Sequence, residues 1–271
     1  MRSVYLTFHV YLAFVTKSFQ KRMQYRVANL VGLTTNFFFL LVHIFVYTAF
    51  YKVSTAPQPL NLDEVITYFV LCQVFFMLMP FWGARSEVTN AIKDGSVALQ
   101  LTKPVDFHAY WFSDECGRAC YFLLMRGCPT FLISILFFEV TIPQQFTVFM
   151  AFAVSMVLAI FMSAAITITI FSSAFWTLDT TGISGLSYSI ITLFSGMLVP
   201  IALWPEWLAH IAEWLPFAGL IDVPFSIYLG KITGVAIWMA IGKQLMWYLI
   251  FIGLGRFFLH RGFSRLVIQG G

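Results

Sequence analysis

The sequence predicts an all-α polytopic membrane protein with six transmembrane helices, and three observations predict it. Of 271 residues, 60% are hydrophobic and only 10% charged, where a soluble domain carries about 25% charge. The apolar residues form continuous runs of about 20 rather than alternating segments of about 10, which selects helices over a barrel. The Lys and Arg residues gather at alternate breaks between the runs, as they do in a helical bundle oriented by its cytoplasmic charge.

The whole chain, 1–271, reads as one transmembrane domain. Residues 3–26 mix aromatic and basic side chains and are too broken by charge to span. They predict an interfacial helix, with Tyr5, Phe8, Leu12, Phe14, Val15 and Phe19 toward lipid and the basic end at the headgroups. Lys17, Lys21, Arg22 and Arg26 also interrupt any cleavable signal peptide. The spans follow at 28–51, 64–84, 119–138, 146–172, 186–203 and 235–259. The stretch 204–234 is apolar but cut by Pro205, Pro216, Gly219, Pro224 and Gly230 into pieces too short to cross. With Trp204, Trp207 and Trp214 favouring an interface, it predicts two short helices dipping into the outer face.

Between the second and third spans lies an elbow, 85–118, with nine charged side chains. Ser86 can cap a first short helix there, and Gly95 can end it in a left-handed turn. Ser96 can start a second piece, which Lys103–Pro104 stops, and Asp106 can cap a third that enters the next span. Arg2, Lys17, Lys21, Arg22, Arg26, Arg85, Lys93, Lys103, Arg118, Arg256, Arg261 and Arg265 share one side of this topology. Only Lys52 and Lys231, with Lys243 at the edge, lie on the other, and Arg126 sits near the inner end of the third span. Both termini and the elbow are therefore expected in the cytoplasm.

The sequence excludes several chemistries. It holds no GxxxxGK[ST] phosphate loop, no HExxH, no GxSxG and no paired CxxC. His9, His43, His108, His210 and His260 are scattered. Cys116, Cys120 and Cys128 share a helical face but lack a fourth metal ligand; with Cys72, they read as packing residues rather than a disulfide framework. The net charge of +4 sits at membrane edges, which gives no nucleic-acid surface. The spans carry no mid-membrane acid of the kind a proton-coupled carrier uses. Lys243 is read as snorkelling to the outer headgroups in preference to touching substrate. Hydroxyls such as Thr34, Ser163, Thr167, Ser187 and Thr192 serve helix packing or line a path for an amphipathic substrate. The competing class is a membrane-embedded lipid-modifying enzyme, which would use the elbow's Asp94, Asp106, His108, Asp114 and Glu115.

The run Ala91-Ile92-Lys93-Asp94-Gly95-Ser96 through Leu101-Thr102-Lys103-Pro104-Val105 resembles a stretch of ABC-2-type transporter permeases, in particular the branch of viologen or multidrug exporter permeases. Gln24 to Asn29, the broken stretch Trp204 to Gly230, Gln244-x-x-Trp247 and Gln269-Gly270-Gly271 agree in order and spacing. The resemblance implies a multi-pass subunit of the plasma (inner) membrane, without its own nucleotide site or catalytic residues. It would pair with an identical or sister permease and with two cytosolic P-loop ATPase subunits that hold ATP and Mg. The cargo implied is hydrophobic or amphipathic, drug or lipid-like, with a polysaccharide, glycolipid or peptide as alternatives. The implied coupling helix is Ser86–Leu101: Val88, Ala91 and Ile92 make the apolar contact, Glu87, Lys93 and Asp94 the polar rim, and Gly95 the end.

Overall fold

A computed structural model of the chain describes residues 2–54, 56–79, 89–90, 92, 97, 102, 104–177 and 179–264. The described residues are helical, with no strand among them. In order, α1 is Arg2–Met23, α2 Arg26–Val53 and α3 Leu62–Phe75, which tightens into a 3-10 turn at Phe76–Leu78. Next, α4 (Phe107–Phe122) passes through a π-helical turn, Leu123–Gly127, into α5 (Cys128–Phe137). Then come α6 (Phe146–Ser172), the single turn α7 (Ala174–Thr177) and α8 (Thr181–Phe194). Two short helices, α9 (Glu206–Trp214) and α10 (Asp222–Tyr228), precede the long α11 (Val235–Phe263).

Among the described residues, four helices are long and apolar enough to cross a membrane: Val27–Val53, Phe107–Phe137, Phe146–Thr177 and Val235–Phe263. The second and fifth expected spans are shorter. Each gives a helix of 14 residues, about 21 Å at about 1.5 Å per residue, against a hydrocarbon core of about 30 Å. For α8 the reason is local: Gly196 takes a φ of 83°, which ends the helix, and Pro200 keeps it from restarting. For α3, the residues that would extend it past 79 lie outside those described, as do the Ser86 cap, the Gly95 stop and the Ser96 start.

The third span begins earlier than its hydropathy indicates. Asp106 caps α4, its Oδ1 accepting from the Ala109 N–H at 2.7 Å. The π turn has a cause as well. Pro129 stands at the start of α5, where its missing N–H and its ring deny the normal bond to the carbonyl four residues back.

α1 forms, but not with the face expected. Phe14 meets Tyr110 edge-on at 4.9 Å and Phe19 meets Tyr121 at 5.5 Å, so both rings turn onto α4 rather than to lipid. The Ser18 hydroxyl donates to the Asp114 carbonyl at 2.7 Å. Gly117 permits the approach, since a Cβ there would overlap the Val15 carbonyl oxygen. Leu12 stays on the outer face, 48% exposed.

The contacts sort the chain to two ends. At one, the Asp106 N–H donates to Tyr11 Oη at 3.2 Å, and Phe107 and Phe175 both pack edge-on to Phe263. At the other, Lys231 pairs with Glu64 at 2.7 Å and the Thr141 N–H donates to Thr67 Oγ1 at 2.8 Å. Around the bundle the exterior is apolar, as lipid requires: Phe45 is 69% and Leu136 79% exposed.

Charged groups inside the bundle are matched by protein. Arg126 donates to Asn29 Oδ1 at 3.3 Å and the Ala28 carbonyl at 3.1 Å, lying in the space left by Gly32. Arg118 is held by Glu115 Oε2 at 2.6 Å, the Met77 carbonyl at 2.6 Å and the Leu78 carbonyl at 2.5 Å. Glu115 is 3% exposed, so neither charge has water as an alternative. Arg118→Met should therefore cost about 3–5 kcal/mol by leaving a buried carboxylate and two carbonyls unmatched. A fall in the thermal unfolding midpoint of the detergent-purified protein measures this. Lys17→Met, at an exposed position, should stay within about 0.5 kcal/mol.

Candidate functional site

Two regions stand out by geometry, one at each end of the bundle. The first is the seat of the elbow. Glu87, Val88, Ala91, Lys93, Asp94 and Gly95 lie outside the described residues. Ile92 is described, and it does not face outward. It is 6% exposed and shares a core with Val97, Phe107, Trp111, Phe171 and Leu259. The apolar contact expected of Ile92 is thus made inside the chain, where α4, α6 and α11 meet. Thr89 adds a tether: its hydroxyl lies 3.0 Å from that of Thr180, in the link before α8. Of the described elbow residues, Thr89, Ile92 and Val97 are thus buried against the rest of the chain.

The acids considered for catalysis do not converge. Asp106 caps α4, Asp114 pairs with Arg22 at 3.5 Å, and Glu115 faces Arg118. Asp94 lies outside the described residues. No three His, Cys, Asp or Glu side chains among the described residues come together as a metal cage.

The second region is built on the short helices. The Trp204 indole donates to the Val199 carbonyl at 3.2 Å, and Pro205 precedes α9. Pro216 sits in the turn after α9, and Pro224 is buried in the first turn of α10. Trp207 and Trp214 remain largely exposed, as interfacial rings do. Lys243 of α11 reaches this segment, with its ammonium 3.5 Å from the Glu213 carbonyl and 4.9 Å from the centre of the Trp214 ring. Between α9, α10 and α11 opens a cavity of about 590 Å³.

Two polar side chains fasten this region to the bundle, Gln244 buried and Asp222 half-buried. Gln244 on α11 accepts from Ser155 Oγ at 2.9 Å and donates to the Ser155 carbonyl at 3.1 Å and the Gly219 carbonyl at 2.7 Å. Its side chain is fully satisfied and joins α6, α11 and the turn before α10. Asp222 does the same from the other side. Its Oδ1 accepts from Tyr68 Oη at 3.1 Å and the Ile201 N–H at 3.1 Å, and its own N–H donates to the Ser195 carbonyl at 3.0 Å. Tyr68 Oη also lies 2.9 Å from the Gly196 carbonyl, so one hydroxyl bridges α3, the end of α8 and α10. Sequence reading passed over Asp222. The available signal was a lone acid inside the apolar run Leu220-Ile221-Asp222-Val223-Pro224-Phe225.

Burial pushes the Asp222 carboxyl from the usual 3.8 up to about 6, against the bonds from Ile201, Tyr68 and Ser226 that favour its charge. Tyr68 and Cys72 from α3 and Glu213 from α9 face it, so no cation offsets the burial. The folded chain then holds this proton more tightly than the unfolded chain. Stability contributed here falls as pH rises from 3.8 through about 6 and is level above. Thermal midpoints across that window should show a downward slope with rising pH that Asp222→Asn reduces.

The profile of a family described as "ABC-2 family transporter protein" matches residues 37–270. No curated protein gives a significant match. The matched stretch starts within α2 and takes in the elbow, the long helices, the short pair and α11. Covering well over half of the sequence, it establishes that the chain belongs to the ABC-2 family of transporter proteins.

Proposed function

We propose that the chain is the permease subunit of an ATP-driven exporter that moves a hydrophobic or amphipathic substrate out of the cell. The motor is a pair of separate cytosolic P-loop ATPase subunits, which hold the ATP and Mg. A second permease, identical or a sister, completes the pathway in the plasma (inner) membrane. Both termini and the elbow face the cytoplasm, in line with the Lys and Arg distribution. The runs containing α3 and α8 complete six spans, α1 lies along the inner interface, and α9 and α10 form the outer re-entrant pair.

The observation that carries this reading is the elbow's seat. Closure of the ATPase dimer pushes the elbow through Val88 and Ala91, with Glu87, Lys93 and Asp94 around them. The push travels through Ile92 and Val97, which are wedged among α4, α6 and α11. Ile92 is thus the anchor of the coupling segment, and the partner's contact falls to its neighbours. A short helix seated in a groove transmits force in this way.

The reading is tested by purifying the chain in mild detergent with the soluble chains that accompany it, then assaying nucleotide hydrolysis. A P-loop ATPase should co-purify, and reversing the charges of Lys93 and Asp94 together should release it. Recovery of the folded chain without any ATPase sinks the proposal. Ile92→Ala separates anchor from contact. It removes about 2–5 kcal/mol of local packing, so the ATPase should stay bound while transport per ATP hydrolysed falls in proteoliposomes. Loss of the ATPase from this variant would return Ile92 to the partner's surface.

A further inference from the structure

We propose that the cavity between α9, α10 and α11 binds the ammonium end of an amphipathic amine, with the Asp222 carboxylate as its counter-ion. The argument is one of charge left over. Asp222 lines the cavity and keeps partial exposure there. Its Oδ1 is taken by Tyr68 and Ile201, whereas its Oδ2 meets only Ser226 Oγ among the described residues, at a long 3.5 Å. A carboxylate oxygen accepts two good hydrogen bonds, so Oδ2 has room for an N–H donor.

The two lysines on the cavity wall do not supply that donor. Lys231 is held by Glu64 at 2.7 Å, and Lys243 by the Glu213 carbonyl and the Trp214 ring. Glu206 and Glu213 also line the cavity, each with His210 of their own helix at 3.8 Å. The lining is therefore short of positive charge. Burial pushes the Asp222 carboxyl up, and Glu213 adds to that push.

The remaining wall suits the body of such a ligand. Trp204 and Trp247 line the cavity with aromatic surface, which attracts an ammonium as well as an alkyl chain. Its α11 wall includes Met239, which is 65% exposed on the apolar exterior, so an amphiphile can enter from the lipid side. About 590 Å³ accommodates an amine headgroup and the first part of a chain. Two sources share this chemistry, an aminophospholipid of the bilayer and a free hydrophobic amine. The site stands apart from the ATPase coupling proposed above: co-purification of the ATPase tests that reading, and amine binding tests this one.

The experiment titrates the full chain, in nanodiscs of phosphatidylglycerol, with octylamine and with octanol as the uncharged match, following tryptophan fluorescence. Octylamine should bind saturably and octanol much more weakly. Asp222→Asn should weaken octylamine binding roughly tenfold or more, the loss of one charge-assisted hydrogen bond. Ala240→Phe, which adds bulk to the α11 wall of the cavity and leaves Asp222 in the sequence, should do the same and decides the matter if the first variant fails to fold. Equal binding of octanol and octylamine, or wild-type affinity in the folded variants, overturns the proposal. In nanodiscs that also contain phosphatidylethanolamine, a fall in apparent octylamine affinity identifies the lipid amine as occupant; unchanged affinity identifies the free amine.

Discussion

The guanidinium of Arg118 fixes the half of this structure in which α3 meets α4. A charged group inside an apolar bundle has no water to turn to, so its donors must end on protein. Arg118 ends one on Glu115 and two on the carbonyls of Met77 and Leu78, where the 3-10 turn leaves acceptors open. One side chain thereby closes the end of α3 and ties it to α4. The neighbouring residues of α4 hold α1, through Ser18 on the Asp114 carbonyl and Gly117 against Val15. α1, α3 and α4 are therefore registered against one another within the stretch Asp114–Arg118 of α4.

The opposite half obeys the same constraint with neutral and single-charge groups. Gln244 is buried at 2% exposure and has each described bond on a backbone or hydroxyl partner. Asp222 gathers Tyr68, the Ile201 amide and, through its own N–H, the Ser195 carbonyl. Gly196 makes this junction possible: a Cβ there would come within 3.0 Å of Asp222 Cβ and closer still to Tyr68 Oη. Its positive φ turns the chain at the one place where the closing hydroxyl must pass.

Much of this was legible in the sequence, for a physical reason. Hydropathy and charge bias report the solvent, and in lipid the solvent decides the helices. Continuous apolar runs therefore marked α2, α6 and α11, and breakers at Pro205, Pro216 and Gly230 marked the short pair. The Asp106 cap was legible because it acts over three residues. What escaped depends on pairings distant along the chain. Arg118 and Glu115 have the pattern of ordinary elbow charges, and only the extension of α4 back to Phe107 places them inside the bundle. Ile92 reads as an outward contact because an apolar residue beside charges has the same pattern whether it faces a partner or its own core. Phe14 and Phe19 were misplaced likewise, since a periodic aromatic stripe does not say whether lipid or α4 covers it.

The two ends differ in how firmly they are held, and that difference suits the proposed cycle. The elbow end is a close-packed apolar core with two buried ionic groups, which moves as a body rather than loosening. The opposite end adds polar fastenings to its own apolar core: the Asp222 carboxylate with two hydrogen bonds of 3.1 Å, the Gln244 amide and the Lys231–Glu64 pair. Hydrogen bonds to a charged acceptor are worth about 1.5–3 kcal/mol each, and Tyr68 shares its one proton between Asp222 and the Gly196 carbonyl, so the bonds to Asp222 are together worth less than about 6 kcal/mol. Moving a two-state element from 1:99 to 99:1 takes about 5.5 kcal/mol. In the proposed cycle, a junction of that order yields to a push of the size a conformational step can deliver. The same energy placed in apolar packing would yield less sharply, because dispersion falls off gradually whereas a hydrogen bond is lost within about an ångström. On this view the Asp222 junction is the part of the bundle that opens in the proposed cycle.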